Sequence, residues 1–443
     1  MNAWLRVWGL AAVCALAACG GDDDDTAQPD AGVDIDGAPG PDAAPDPLCL
    51  DSDDTCGYTP EELPASEMSL ADQRALAERF NPAQVFTHEH VWTVSVDYLL
   101  VENVNGLEQA EHDGRINFSY DVDEGTRQAV DPQPDLLNDD WSELPLTDGG
   151  ADLVYFLDVL GDNDRDVDNG GGGDGVTGNG YDDESWSDAW VTAQGGDDSD
   201  PIAAVYPPTQ YAHLFWLSRE DHLLAIQYWF YYPFDKWSNN HEGDWEHVNV
   251  VLRYYSADNV TIEGAHFSHH GAQAAVGVDE LIRVGDDTDG DHVVVFTGGD
   301  SCLNLIPDIY CGRASGASFP HPGMYMFSSV ETAAGGTSRV GRPVHATDFD
   351  IAMLPRLADM DFAANPNMSW YNLTFIAGAP TVAFNAAATI KTNNHRAPVG
   401  PGGGHDEFDV GIEESYSYAD NGSSEPFTAP AGWNLIANPT PGF

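Results

Sequence analysis

Residues 226–252 read IQYWFYYPFDKWSNNHEGDWEHVNVVL, and this stretch decides the fold class. Its first part is nearly continuous in apolar and aromatic residues, the pattern of a strand buried on both faces. A polar turn follows, and then a second strand in which Asp244, Glu246, Val248, Val250 and Leu252 share one face, because side chains alternate along a strand. Working outward, further β-branched and aromatic runs bounded by Gly, Asn, Asp and Pro occur at 91–104, 115–120, 153–160, 203–217, 260–267, 292–296 and 324–328. Many strands with few helix-length stretches predict an all-β sandwich with long loop insertions. One short helix is expected in Ala65 to Phe80, capped by Ser66, with Met68, Leu70, Leu76 and Phe80 spaced helically.

The ends of the chain read differently. Residues 1–18 carry Arg6, an apolar run from Val7 to Leu16 and then small residues, which is a signal peptide too short to span a bilayer. Residues 19–57 are mostly Asp, Ala, Gly and Pro without Lys or Arg, a disordered acidic tether. The remainder, 58–443, reads as a single β-sandwich domain with an acidic insertion at 158–200. Within that insertion 162–168 has the alternating acidic spacing of calcium loops but not the Gly and Glu of an EF-hand; a solvated loop is the simpler reading. Residues 286–291 read as a hairpin turn. Four cysteines remain after the signal and Cys19, and their close pairing predicts two local disulfides, Cys49 with Cys56 and Cys302 with Cys311.

The chain of 443 residues has 74 Asp and Glu against 16 Lys and Arg, a formal net charge of -58. Such a surface repels nucleic acid and anionic lipid. It suits work in salt or divalent cations. Asp244 and Glu246 lie at the mouth of an apolar face, and like charges that close are costly without a cation, a shared proton or an arginine. Asp235 and His241 on the turn complete a candidate set for a divalent cation.

The segment Leu16-Ala17-Ala18-Cys19 resembles the lipobox of bacterial lipoproteins. The resemblance implies a lipidated Cys19 as the only membrane anchor and, with Gly20 next, an outer-membrane location, periplasmic or cell-surface. The phrases Gln227 to Pro233 and His241 to His247, followed in order by Phe267-Ser268-His269-His270-Gly271, Phe319-Pro320-His321-Pro322-Gly323-Met324-Tyr325 and Pro398-Val399-Gly400-Pro401, resemble the vacuolar protein sorting-associated protein 62 family and its plant relatives of unknown function. The family's His before the PHPG element is absent here, where an insertion carries Cys302 and Cys311. More distantly, Pro233-Phe234-Asp235 and His241-Glu242-Gly243-Asp244-Trp245-Glu246 are similar to necrosis- and ethylene-inducing peptide-like cytolysins. That likeness implies Asp235, His241, Asp244 and Glu246 as ligands of calcium, magnesium or a similar ion beneath a shallow sugar-binding pocket.

Beside this set, Trp229, Trp237, His247 and His269 are candidates for contact with a glycan or glycolipid headgroup, against the simpler reading of the aromatics as core. His270 and His321 are candidate proton-transfer groups should the cation activate water in a hydrolase of phosphodiester or glycosidic bonds. A third reading makes the cation a brace in a surface structural protein. No nucleophile elbow, HExxH or P-loop is present, so the sequence names no reaction class. It is equally silent on oligomeric state.

Overall fold

The computed structural model describes residues 60–86, 93–103, 106–116, 119–122, 126–157, 206–235, 241–269, 272–285, 291–299, 316–326, 330–333, 343–376, 400–401 and 427–438. At 233–235, 241, 242 and 269 only the backbone is described. The signal and tether, the acidic insertion, Trp237, His270 and the cysteines Cys19, Cys49, Cys56, Cys302 and Cys311 lie outside these residues, and with them the lipidation and disulfide expectations. No described helix is long and apolar enough to cross a membrane.

The fold is all-β, as the pattern predicts. Its labelled elements, in chain order, are α1 (Leu70–Phe80), β1 (Ala83–Val85), α2 (Asp97–Glu102), β2 (Thr209–Ser218), β3 (Leu223–Asp235), β4 (His241–Ser256), β5 (Asn259–His269), β6 (Ala272–Gly277), β7 (Asp291–Gly299) and β8 (Ser318–Phe319). β2 to β6 follow one another as an antiparallel meander that forms the central sheet. The outer edge of β2 is closed at one end by Glu61–Glu62, antiparallel, and at the other by Asp350–Met353, parallel.

The central sheet is covered on both faces, which is why β3 has no polar face. On one side α1 and a second sheet pack down. Tyr228 donates its hydroxyl to the Ala77 carbonyl at 2.8 Å, and Val293 and Val295 of β7 join the main core. β7 is a partition apolar on both faces, in which Val294 and Phe296 point the other way, into a smaller cluster with Ala83, Val85 and Phe319. On the opposite side the 3-10 helix Pro366–Asn372 inserts Trp370 against Tyr211 and Trp245, with ring centroids 5.6 and 5.5 Å away. A third sheet, containing Glu108–Ile116 and Ala151–Phe156, extends that layer through Tyr155 and Phe375. Trp229, Tyr228, Phe230 and Tyr231 are fully buried between these layers, and each large apolar side chain so placed contributes about 1.5–3 kcal/mol.

Three local expectations are corrected. The helix begins at Leu70, not directly after Ser66, because the side chain of Ser69, not Ser66, accepts the Asp72 amide at 3.2 Å. Gln73, Leu76, Ala77 and Phe80 form its buried stripe. The run 91–104 is not one strand. Thr93 to Ser95 extend the sheet edge, with the Val94 amide on the Tyr231 carbonyl at 3.0 Å, and the chain then turns into α2. The Ser95 hydroxyl accepts the Asp97 amide there, and the buried Tyr98, Leu99 and Leu100 hold a helix too short to stand by propensity. Residues 115–120 are likewise a hairpin, Glu108–Ile116 against Ser119–Val122. The turn expected at 286–291 lies outside the described residues except for Asp291; on either side of it Arg283–Gly285 pairs antiparallel with β7, with Arg283 on Asp291 at 2.6 Å.

Candidate functional site

The antiparallel register of β3 and β4 sets Asp244 opposite Tyr232 and Glu246 opposite Phe230, on the face turned toward the second sheet. Both carboxylates are buried, 7% and 8% exposed. An Asp244 oxygen accepts the Trp245 amide at 3.0 Å. Burial pushes the Tyr232 phenol well above its usual range, Glu246 and then Asp244 push it further, and the neighbouring Gln84 amide opposes the rise. The phenol therefore stays protonated at neutral pH beside two carboxyl groups.

Two glycines shape the site. Gly316 has φ +72°, and a Cβ placed on it would lie 2.9 Å from the Tyr232 ring and 3.2 Å from an Asp244 carboxylate oxygen. The chain entering the PHPG element thus passes directly over the acidic face, closer than any side chain permits. Gly243 has φ +64° inside β4. In a regular strand residues three apart point to opposite faces, so His241 and Asp244 would be separated. A left-handed glycine stands between them, yet the pairing with β3 runs through it without a shift of register. The backbone also sets Asp235 opposite His241 at the hairpin end.

The other sequence candidates are distributed as follows. Trp229 and His247 pair across β3 and β4 with ring centroids 4.4 Å apart, on the face opposite Asp244 and Glu246. Trp229 is fully buried and donates its indole N–H to Gln227 at 2.7 Å, and His247 is 1% exposed. His269 ends β5 opposite Ala272. His321 places Nε2 2.8 Å from the Glu280 carbonyl, and burial lowers its pKa with that hydrogen bond opposing. A carbonyl only accepts, so Nε2 carries the proton. Among the described residues no group of three or more His, Cys, Asp or Glu converges on one point. Of the four expected ligands, Asp244 and Glu246 are brought together.

Sequence reading misses the polar layer behind them. Ala83 and Val85 belong to the outer cluster, so Gln84 between them turns inward against Tyr232. Gln210 donates to the Pro82 carbonyl at 2.8 Å, and Ser318 follows two residues after Gly316. All four side chains are at most 1% exposed. Among the described residues Gln84 Nε2 and Oε1, Gln210 Oε1, the Tyr232 hydroxyl and Ser318 Oγ find no hydrogen-bond partner; Gln84 and Tyr232 are adjacent without hydrogen-bond geometry. Left unmet, such atoms cost about 1–3 kcal/mol each, which together rivals the stability of a whole domain, about 5–15 kcal/mol. These side chains therefore fit a bound polar group on this face, and the carboxylates of Asp244 and Glu246 beside them are hard oxygen donors of the kind calcium or magnesium takes.

No family model matches the chain, and no curated protein matches it. Among solved structures it is similar to necrosis- and ethylene-inducing proteins. The non-toxic HaNLP3 protein shares 16% identity at a TM-score of 0.22 over 43% of this chain and 68% of its own. Necrosis and Ethylene inducing Protein 2 from the causal agent of cocoa's Witches Broom disease shares 19% at 0.19 over 39% and 61%. NLPPya in complex with mannosamine shares 15% at 0.20 over 39% and 60%. At these scores the likeness transfers neither ligand nor activity.

Proposed function

We propose that this chain is an exported, lipid-anchored protein of the vacuolar protein sorting-associated protein 62 type. In this reading a divalent cation, calcium or magnesium, is held by Asp235, His241, Asp244 and Glu246 and recognises a glycan or glycolipid headgroup at a membrane. The observation that carries the reading is the burial of Asp244 and Glu246 on one face of β4 under the Gly316 backbone. A bound cation would neutralise the pair and offer open coordination positions to sugar hydroxyls.

Calorimetric titration of the purified chain with calcium chloride should show near-stoichiometric binding, and Asp244→Asn should abolish both the heat and the ion-dependent rise in Tm. At a hundredfold excess over Kd that rise corresponds to about 2.7 kcal/mol. Binding to glycan arrays or glycolipid vesicles should then disappear on chelation. Absence of any ion binding by the wild type would sink the reading. Cys19→Ala should move the protein from the membrane fraction to the soluble one, and retention in the membrane would refute the anchor.

A further inference from the structure

We infer that the buried polar atoms of Gln84, Gln210, Tyr232 and Ser318 form a built hydration site, in which ordered water bridges these side chains and braces Asp244 and Glu246 from behind. As a support for the cation it rests on the function proposed above. Four side chains that are at most 1% exposed contribute five polar atoms without a protein partner. They come from separate places in the chain, β1, β2, β3 and β8, and the fold gathers them between the two sheets. Gln84 lies beside Tyr232. Gly316, two residues before Ser318, packs on both Tyr232 and Asp244. Gln210 is tied by its amide nitrogen to Pro82, two residues before Gln84, which leaves its carbonyl oxygen to the interior.

The donor and acceptor inventory suits water. The Tyr232 hydroxyl and Gln84 Nε2 donate, Gln84 Oε1 and Gln210 Oε1 accept, and Ser318 does either. Water, which does both, satisfies this mixture where no single ion can, and an enclosed polar space with two to four partners retains it. Bridged in this way, Tyr232 and its neighbours act as positioning residues. They hold the carboxylates in one orientation so that an arriving cation finds them ordered.

Two measurements decide the point. A crystal structure of the full chain should show ordered water touching at least two of the four side chains; a dry interior in which the Gln84 amide bonds directly to the Tyr232 hydroxyl would overturn the inference. In parallel, Tyr232→Phe and Ser318→Ala are titrated with calcium chloride and melted in chelator. The expected result is an affinity for calcium about tenfold weaker in Tyr232→Phe, with the Tm in chelator little changed. A purely structural role would instead lower the Tm in chelator and leave Kd alone, and Ser318→Ala keeps the comparison available should Tyr232→Phe not fold. If the wild type binds no calcium, the cation reading fails by itself, and the hydration site is judged on the crystallographic water.

Discussion

At Gly316 the chain meets the acidic face with no room for a side chain. Gly316→Ala combines a left-handed backbone, which costs an L residue about 1–2 kcal/mol, with a Cβ at 2.9 Å from the Tyr232 ring. We expect a loss of about 2–3 kcal/mol in urea unfolding, together with weaker calcium binding as Tyr232 is displaced. A loss under about 0.5 kcal/mol would show that the loop yields and that the close approach is incidental. His321 makes a pH prediction of definite sign. Its folded pKa lies below the ordinary 6.5, so the unfolded chain binds more protons, and the stability it contributes is present above pH 6.5 and is lost as pH falls below that value. His321→Gln should flatten the fall in stability between about pH 6.5 and 5 relative to wild type; parallel curves would remove His321 from the account.

Among the elements, α1 offers the cleanest test of a correction. Ser66 and Ser69 are both exposed serines before the same helix, and only Ser69 caps it. Ser69→Ala should cost about 1 kcal/mol and Ser66→Ala next to nothing, and equal losses would place the helix start where the sequence alone puts it. The two serines show what local reading can and cannot resolve, because either satisfies the pattern and the choice falls to tertiary packing of Met68 and Leu76. The β3–β4 hairpin was legible because its signal is internal to the hairpin: an apolar strand, a polar turn, and alternation carrying Asp244 and Glu246 to one face. β1 was not. Three residues, Ala83–Val85, carry too little pattern to announce a strand, and their partner is β7, parallel and some two hundred residues away. Gln84 and Gln210 consequently look like unremarkable polar residues in sequence, and only the pairing of distant strands makes them neighbours of Tyr232. The same limit applies to Trp229 and His247. Spacing puts them near the acidic pair along the chain, whereas alternation puts their rings on the other side of the sheet.

For the whole molecule the governing quantity is a formal charge of -58, from 74 carboxylates against 16 Lys and Arg. Self-repulsion on this scale destabilises the compact state, and salt relieves it by shortening the Debye length from about 10 Å at 0.1 M to about 3 Å at 1 M. The Tm should therefore rise steadily with sodium chloride. Specific occupation of the Asp244–Glu246 site behaves differently: it saturates, and it distinguishes calcium from sodium at equal ionic strength. Melting curves in sodium chloride and calcium chloride matched for ionic strength separate the two terms. We expect a calcium increment that levels off once the ion exceeds its Kd and that is absent in Asp244→Asn, superimposed on a screening slope common to both proteins. Coincident curves for the two salts would mean that the acidic surface is only screened and that the buried pair holds no ion. A calcium increment that persists in Asp244→Asn would instead assign the binding to other carboxylates of the chain.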